Sequence, residues 1–478
     1  MNPIDPYSLP KLKDAPATPF TLAIADGQLE CSDILRFLPG KRLVLRAKLN
    51  GQAIIAKCFF GPQAKRDRQR EVRGIHGFIN AGIRTPDLIT ELDDSAFQLV
   101  ITEELISAES FEQFWLQPLT NDQRRLWLIN LGRMIAALHK SGVVQKDFHL
   151  DNLLLHNEQL YIIDGGCVEV VGQKLSQAAA LKNLALFQAV LYPKYDKLLN
   201  DIWTAYSTAA PELAKQTSIT EFSGLVQKQR KWREKFVHKA LRNCTQFRVE
   251  KSWHHFLSVD KQLDNPALRA VLADPDRAIV EGKIIKFGRT NTVAVLTLGS
   301  GEKVLIKRFK STKGFLHKYL RCLRPSRARG CWLNGHLLTM LGIATPRPYA
   351  MLEKRFGPLT TCSYIITAYQ PAPHAMDWFT QSPLPGNYQS VVDKIDEMLT
   401  TLQRALVYHG DLKGNNILIV DGEPVLIDLD AMTSYKTPSE FLHANKKDIN
   451  RFSRNWAGLP DSEEAFSPVI SKLRNRLD

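Results

Sequence analysis

Residues 145–166 read QKDFHLDNLLLHNEQLYIIDGG, and the same pattern returns at residues 409–430 as HGDLKGNNILIVDGEPVLIDLD. In each copy an Asp is followed five positions later by an Asn, and a second Asp closes a short apolar strand 17 positions after the first. The three positions are Asp147, Asn152 and Asp164 in the first copy and Asp411, Asn416 and Asp428 in the second. Asp and Asn are common in loops, but the repetition of the spacing indicates two units with the same chemistry.

This spacing is typical of the catalytic loop and the metal-binding loop of protein-kinase-like phosphotransferases. Asp147 and Asp411 are the predicted catalytic residues, which would accept the proton of an acceptor hydroxyl or orient that hydroxyl. Mg²⁺ prefers hard oxygen ligands and needs only one or two carboxylates besides phosphate oxygens. The predicted Mg²⁺ ligands are Asn152, Asp164, Asn416 and Asp428.

Upstream of each copy the sequence predicts a β-hairpin that carries a lysine for ATP. Residues 41–60 alternate around Asn50-Gly51, a strong two-residue turn signal, and place Lys57 in the second strand. Residues 283–310 repeat the pattern and place Lys307 at the corresponding position. Both lysines are predicted to bind the α- and β-phosphates. A GxGxxG loop is missing from both halves, and residues 288–292 (GRTNT) offer only backbone N–H and hydroxyl groups instead.

The helix that follows each hairpin differs between the halves. Residues 63–83 have helical spacing and contain Glu71, which would hold Lys57. At the same distance from the end of the second helix, residues 327–343, stands Cys331. Three outcomes stay open: Asn334 substitutes for the missing Glu, Lys307 is held by another group, or the second half is catalytically weak.

Two departures belong to the first half. Gln145 stands two residues before Asp147, where the second half has His409. The sequence Asp-Gly-Gly at 164–166 lacks the aromatic residue that usually follows the metal-binding Asp. The first departure predicts weaker support for the catalytic loop, and the second is compatible with function. His139, just before the loop, is predicted to be structural.

The length of 478 residues is too great for one ordinary core. The predicted fold class is α+β, with two bilobal kinase-like domains in tandem, each having a small β-rich N-lobe and a mostly helical C-lobe. The predicted boundaries are a loose arm at 1–20, a first domain at 21–245 and a second at 246–478. Seven unpatterned cysteines predict reduced thiols.

The net charge of +14 implies an anionic partner. Basic residues concentrate in two segments, 226–242 and 307–329, and residues 303–352 contain no Asp or Glu. Nucleic acid, an anionic membrane surface and a phosphorylated glycolipid are candidate partners, and a solvated basic face or a cap on a domain boundary is the structural alternative. With no run of about 18 apolar residues and no secretory signal, the protein is expected in the cytosol.

Several motifs follow one another in the second half: GRTNTVAVLTLGSGEKVLIKRF, LRCLRPSRARGCWLNGHLL, GIATPRPYAMLE, HGDLKGNNILI, VLIDLDAM and DINRFSRNW. Together they resemble the bacterial lipopolysaccharide kinase family, which includes heptose and Kdo kinases, over most of residues 280–460. Residues 41–190 resemble the same superfamily more loosely, through GKRLVLRA, GIRTP and KDFHLDNLLL. Two kinase-like units in one chain depart from the single unit usual in the family.

The resemblance implies a protein-kinase-like fold, use of ATP and Mg²⁺, and phosphorylation of a heptose or Kdo hydroxyl of a lipid A–core glycolipid. It places the protein at the cytoplasmic face of the inner membrane as a peripheral protein, docked through segments 226–242 and 307–329, with no nucleic acid partner. A protein or small-molecule kinase of the same fold is the alternative, as is a tandem in which one half is a binding scaffold.

Overall fold

The computed structural model describes residues 2–93, 97–172, 175–288, 290–310 and 325–475. The chain divides into two compact units. Unit 1 comprises Met1–Leu191 and Tyr195–Arg230, and unit 2 comprises Tyr192–Lys194 and Lys231–Asp478. Each unit contains a large, mainly antiparallel sheet and a set of helices. This mixed content of strands and helices confirms that part of the predicted fold class.

Unit 1 is built on a seven-stranded sheet with the order β1-β2-β3-β4-β5-β7-β6. Its strands are β1 (Asn2–Ile4), β2 (Phe20–Ile24), β3 (Gly27–Leu38), β4 (Arg42–Leu49), β5 (Gln52–Phe59), β6 (Leu88–Asp93) and β7 (Gln98–Glu103). The predicted hairpin is β4–β5, in which Leu49 pairs with Gln52 across the turn. Asn50 and Gly51 both have positive φ, 52° and 83°, as this tight turn requires.

The N-terminal residues are part of this sheet, in place of the loose arm expected at 1–20. β1 pairs in parallel with β2, and a 3-10 helix follows at Pro6–Lys11. Leu9 in that helix is fully buried in the core of the sheet. Burial of an apolar side chain of this size stabilises the segment by roughly 1.5–3 kcal/mol, which a free arm would lack.

The rest of unit 1 is mostly helical. Its short strands are β8 (Glu109–Ser110), β9 (Val143–Gln145), β10 (Leu153–His156), β11 (Gln159–Ile162) and β12 (Val168–Val170). Its helices are α1 (Ala64–Asn80), α2 (Phe111–Leu116), α3 (Asn121–Lys140), α4 (Gln177–Val190), α5 (Leu199–Ala209), α6 (Pro211–Ala214) and α7 (Ile219–Glu234), the last of which crosses the boundary between the units. Helix α1 is the helix predicted at 63–83, and Gly82 just beyond it has the positive φ of a helix end, 69°.

Unit 2 opens with strands β13 (Phe247–Lys251) and β14 (His255–Asp260) and helices α8 (Pro266–Ala273) and α9 (Pro275–Glu281). Strands β15 (Lys283–Phe287), β16 (Asn291–Thr297), β17 (Lys303–Lys310), β18 (Pro348–Phe356) and β19 (Leu359–Ala368) complete a sheet of order β13-β14-β18-β19-β17-β16-β15. Five strands therefore repeat the order of unit 1, β3-β4-β5-β7-β6. The two additional strands lie beside β3 in unit 1 and beside β18 in unit 2, on opposite sides of the shared five.

The remaining strands of unit 2 are β20 (Val407–Tyr408), β21 (Ile417–Val420), β22 (Glu423–Leu426) and β23 (Thr433–Ser434). Its remaining helices are α10 (Arg327–Leu341), α11 (Ala375–Phe379), α12 (Tyr388–Arg404), α13 (Pro438–Arg454) and α14 (Pro460–Asn475). Helices α12, α13 and α14 bury one continuous core that includes Phe452, Trp456 and Phe466. Trp456 and Phe466 stack at 4.4 Å between ring centroids.

Asp276 anchors helix α9 to the sheet of unit 2. Its carboxylate accepts hydrogen bonds from Arg308 at 2.8 Å, Lys354 at 2.9 Å and the Tyr364 hydroxyl at 2.8 Å. Burial opposes ionisation, but these donors outweigh it and lower the pKa of Asp276 to about 2. The carboxylate therefore stabilises the fold at any pH above its ordinary value of about 3.9.

Asp276→Asn is expected to lower the free energy of unfolding by about 1–2 kcal/mol at neutral pH, after allowance for the partial exposure of the group. The folded-state pKa lies below the unfolded one, so the loss should shrink as the pH falls from about 4 to about 2. Urea unfolding of the variant and the wild type at several pH values in this range measures the difference in unfolding free energy. Asp421→Asn, an exposed change in a turn where Asn is equally favourable, is the control. A difference that stays constant with pH would contradict the assignment.

Candidate active site

The predicted catalytic loops of the two units have the same internal geometry. In unit 1 the Asn152 side-chain amide donates to the backbone oxygen of Asp147 at 2.8 Å. In unit 2 the Asn416 amide donates to the backbone oxygen of Asp411 at 2.8 Å and to its Oδ2 at 3.0 Å. The backbone oxygen of each Asn accepts from the residue before the second Asp, at 2.9 Å in both units. The structure thus brings each predicted Asp–Asn pair together.

The second Asp of each triad has a left-handed backbone. Asp164 has φ 66° and ψ 64°, and Asp428 has φ 61° and ψ 56°. Each stands immediately before a 3-10 turn, Gly165–Cys167 and Leu429–Ala431. Residues other than Gly, Asn and Asp seldom adopt this conformation. Strain of this kind concentrates at functional sites, and it occurs here at two of the four predicted metal ligands, Asp164 and Asp428.

In unit 1 the predicted lysine and glutamate form an ion pair. Lys57 Nζ lies 2.5 Å from Glu71 Oε1 and 3.7 Å from Asp164 Oδ1. Glu71 is almost fully buried, and its Oε2 accepts the Gly166 N–H at 2.9 Å. Glu71 therefore fixes the lysine and ties helix α1 to the loop that carries Asp164.

The Gly-Gly after Asp164 has a packing reason. A Cβ on Gly74 of helix α1 would lie 2.1 Å from the backbone oxygen of Gly165. A Cβ on Gly165 would lie 2.3 Å from the backbone oxygen of Glu71. Helix and loop pack backbone against backbone, which leaves no space for an aromatic side chain after Asp164, the predicted metal ligand. The close packing of helix and loop in unit 1 therefore explains why Gly165 stands where an aromatic residue is usual.

In unit 2 the lysine is held by the metal-loop Asp itself, and Cys331 is buried without replacing the glutamate. Lys307 Nζ forms a direct ion pair with Asp428 Oδ1. Burial would raise the pKa of Asp428, but the charge and hydrogen bond of Lys307 outweigh it and lower that pKa to about 2. Asn334 takes another role, donating to the backbone oxygens of Leu429 at 2.9 Å and Met432 at 3.1 Å. Of the three alternatives for the missing glutamate, the structure therefore shows the second: another group, Asp428, holds Lys307.

Asp448 supports the predicted catalytic loop of unit 2. Its carboxylate accepts three backbone N–H groups, from His409 at 2.8 Å, Gly410 at 3.0 Å and Leu412 at 3.3 Å. Burial raises the pKa of this carboxyl, and the three N–H donors oppose the rise. Sequence reasoning missed this residue, although KDINRFSRNW at 447–456 echoes KNLALFQAVL at 182–191 and sets Asn183 opposite Asp448.

In unit 1 a neutral network takes the place of that carboxylate. Asn183 donates to the backbone oxygen of Gln145 at 2.8 Å, and its Oδ1 lies 3.0 Å from His139 Nε2. The other ring nitrogen of His139 lies 2.9 Å from the Tyr206 hydroxyl. Burial lowers the pKa of His139 to about 4, so the ring is neutral at neutral pH. His139 is structural, and the support of the unit 1 loop is uncharged.

The two predicted catalytic carboxylates differ in their surroundings. Asp411 contacts Arg451 Nη1 at 2.5 Å and Lys413 Nζ at 3.0 Å. Burial would raise its pKa, but Lys413 and Asn416 outweigh burial and lower it. Asp147 contacts His149 Nε2 at 3.0 Å, and its side chain is 57% exposed against 32% for Asp411. Arg451 and Lys413 were not singled out from the sequence, although Lys413 lies inside the repeated motif.

The residues present fit a divalent cation that binds together with phosphates. Asp164 Oδ1 is buried and accepts no hydrogen bond within the described part of the chain. Asn152 and Asp164 in unit 1, and Asn416 and Asp428 in unit 2, are oxygen ligands of the type that Mg²⁺ prefers. The described residues contain no cluster of three or more His, Cys, Asp or Glu side chains suited to a metal. A cation at either position would need phosphate oxygens or waters to complete its shell.

Many of the basic side chains in segments 226–242 and 307–329 form ion pairs or hydrogen bonds within their own unit. Arg230 is buried against Asp196 at 2.5 Å, and Lys231 donates to the backbone oxygens of Tyr435 and Lys436 at 3.1 and 2.7 Å. In the second segment, Arg308 pairs with Asp276 and Arg329 with Glu353, both at 2.8 Å. The part of that segment at 311–324 lies outside the described residues. Among the described helices, none is long and apolar enough to cross a bilayer.

Comparison with known proteins gives one family. The profile described as "Lipopolysaccharide kinase (Kdo/WaaP) family" matches residues 55–170 and 275–471, nearly two thirds of the chain, and each unit contains one of the segments. The RIO-type serine/threonine-protein kinase Rio1 of Haloferax volcanii is 32% identical over 85 residues, which span 17% of this chain and 29% of that relative.

Two solved structures are also similar. "WaaP in complex with acyl carrier protein" has a TM-score of 0.33 and 21% identity, covering 41% of this chain and 87% of that one. The PknI kinase domain of Mycobacterium tuberculosis, solved as a point mutant, has a TM-score of 0.30 and 14% identity, covering 45% of this chain and 99% of that one.

Proposed function

The chain belongs to the lipopolysaccharide kinase (Kdo/WaaP) family and is an ATP-dependent kinase, and we propose that it phosphorylates a heptose or Kdo hydroxyl of the lipopolysaccharide inner core. One observation carries the proposal: unit 2 joins Asn416 to Asp411 at 3.0 Å and Lys307 to Asp428. Phosphoryl transfer needs a cation for the phosphates, oxygen ligands for Mg²⁺ and a carboxylate for the acceptor hydroxyl, and these four side chains supply them.

In the proposed reaction the bond between the γ-phosphorus and the bridging oxygen of ATP breaks, and a bond forms to the sugar oxygen. Asp411 orients the hydroxyl and accepts its proton, because its lowered pKa keeps it ionised at neutral pH. Lys307 releases Asp428 and binds the α- and β-phosphates, which leaves Asp428 and Asn416 as ligands for Mg²⁺. The bound cation would neutralise the charge of the phosphates.

We extend the proposal to unit 1, with Lys57 and Glu71 at the phosphates, Asn152 and Asp164 at Mg²⁺, and Asp147 at the acceptor. The proposed arrangement is two bilobal kinase-like domains in tandem, at 21–245 and 246–478. The proposed acceptor is a lipid A–core glycolipid, which would keep the protein on the cytoplasmic face of the inner membrane as a peripheral protein. The surplus of positive charge suits such a phosphorylated acceptor.

A second candidate function, in which only unit 2 transfers phosphate, is favoured by the difference between the residues that support the two loops. Gln145 and Asn183 replace the histidine and the carboxylate that support the loop of unit 2, and Asp147 is more exposed than Asp411. In this arrangement unit 1 binds nucleotide through the Lys57–Glu71 pair and does not transfer phosphate, so unit 2 alone is the transferase.

The test supplies purified protein with γ-labelled ATP, Mg²⁺ and a core glycolipid from which phosphate has been removed. Label in the sugar of the glycolipid is the expected result. A basic protein and a free monosaccharide serve as competing acceptors in parallel reactions. Label in the protein acceptor alone would replace the proposal by a protein kinase, and label in the free sugar alone by a small-molecule kinase.

A further inference from the structure

We infer that an exposed aromatic pair on unit 2 docks the protein on an anionic bilayer, an inference that rests on the proposed membrane-bound acceptor. Trp253 lies in the turn between β13 and β14, and Phe356 ends β18. The two residues are 61% and 64% exposed, and their rings meet edge to face at 6.2 Å between centroids. We call this pair the aromatic tip.

The backbone holds the aromatic tip in this exposed position. Two hydrogen bonds join the turns, from Gly357 N to the Trp253 oxygen at 3.0 Å and from Arg355 N to the His254 oxygen at 2.7 Å. Gly357 has φ +59°, and a Cβ there would lie 2.9 Å from Trp253 Cζ2. Only a glycine allows the indole to lie against this turn. The exposure of both rings is thus a fixed feature of the fold.

The surroundings of the aromatic tip carry surplus positive charge. Glu353 is shared by Arg329 and Arg355, and Asp276 is shared by Arg308 and Lys354. Four cations therefore share two carboxylates. Lys251 and Lys310 lie exposed at the same end of the sheet and add further charge. These cations would attract an anionic surface at short range, and added salt would screen the attraction and weaken binding.

The strand register places the aromatic tip at the end of the sheet where the predicted phosphate loop begins. Phe287, 80% exposed, pairs with Thr292, and Thr292 pairs with Arg308, the residue after Lys307. From Arg308 the ladder passes through Tyr364 and Leu352 to Leu257, just inside the turn that carries Trp253. A bilayer that contacts this end of the sheet would lie on the side where β15 ends at Phe287 and β16 begins at Asn291.

Composition and size favour a bilayer over a protein as the occupant. Trp with Lys and Arg is typical of membrane interfaces, where the indole sits among the headgroups. An aromatic side chain buries roughly 150–250 Å², so two partly exposed rings fall well short of the ~800 Å² per partner that a stable protein interface needs. A small apolar contact with surplus charge suits reversible binding to anionic lipid.

The test is flotation of the full chain with vesicles of roughly 7:3 phosphatidylcholine to phosphatidylglycerol. The double change Trp253→Ala and Phe356→Ala is expected to lower the vesicle partition coefficient about tenfold or more, because the apolar contact area is lost. Ile106→Ala with Leu126→Ala is the matched control, since these unit 1 side chains are 65% and 58% exposed, and it should bind like the wild type.

A second measurement reports on Trp253 itself. Brominated lipids should quench part of the tryptophan fluorescence of the wild type, and Trp253→Phe should remove that part while it keeps vesicle binding. Equal binding of the double variant and the wild type, or equal quenching with and without Trp253, would overturn the inference. Asp411→Asn should bind vesicles normally, so failure of the proposed chemistry and failure of the docking surface give different results.

Discussion

Asp411→Asn is expected to lower the phosphoryl transfer catalysed by unit 2 by about 10²–10⁴-fold, the range typical of a lost general base. Asn keeps the volume of the side chain and its hydrogen bond with Asn416 but removes the negative charge. That charge is held by Lys413 at 3.0 Å and Arg451 at 2.5 Å and is available to accept the proton of the acceptor. The measurement is the initial rate of label transfer from ATP to the dephosphorylated glycolipid.

Asp147→Asn is the partner of this experiment in unit 1. If both units transfer phosphate, each single change leaves the activity of the other unit and the double change removes both. If unit 2 alone is the transferase, Asp411→Asn equals the double change and Asp147→Asn has little effect. Asp421→Asn, in the exposed turn after β21, controls for loss of a surface charge. Full activity in the double variant would overturn both catalytic assignments.

Gly74→Ala is expected to destabilise unit 1 by about 3 kcal/mol, the upper part of the range for an overpacked core. The new methyl group would lie 2.1 Å from the backbone oxygen of Gly165, a backbone atom that cannot rotate away as the end of a side chain could. Helix α1 and the loop that carries Asp164 would separate, which would also break the contact of Glu71 with Gly166. Unit 1 should therefore lose both stability and nucleotide binding.

Gly224→Ala is the matched control, because Gly224 also lies in a unit 1 helix but a Cβ there meets no atom within 4 Å. Removing a flexible glycine from a helix should stabilise the chain by roughly 0.5–1 kcal/mol. Urea unfolding, followed by hydrogen exchange to assign the change to unit 1, measures both variants. Equal stability of Gly74→Ala and wild type would show that helix α1 and the loop at Gly165 are not in backbone contact.

The features that sequence reasoning predicted well are local ones. The Asn50-Gly51 turn needs two positive φ angles, which Asn and Gly tolerate, so the hairpin and the position of Lys57 follow from a few residues. The spacing of Glu71 from the end of helix α1 follows from the helix period. The sequence did not predict the partner of Lys307. Asp428 lies 121 residues away along the chain, and the two side chains meet only in the folded unit.

Contacts between residues far apart in the chain explain the other features that the sequence did not predict. Segment 307–329 contains no carboxylate, which suggested a free basic surface. In the fold, Arg308 and Arg329 find Asp276 and Glu353 on other elements, so composition over a window overstates the exposed charge. Asp448 was missed for a related reason: its carboxylate accepts three backbone N–H groups, and the echo between residues 182–191 and 447–456 marks the position without revealing such contacts.

The left-handed backbone at Asp164 and Asp428 limits how these positions can change over evolutionary time. A β-branched or bulky residue there would add strain of about 1–3 kcal/mol to any loss of chemistry, whereas Asn or Gly would keep the loop intact. A unit that abandoned catalysis could therefore drift to Asn or Gly without backbone strain, although in unit 2 the change would remove the charge that pairs with Lys307. Both units still have Asp, the member of this small group that carries a charge.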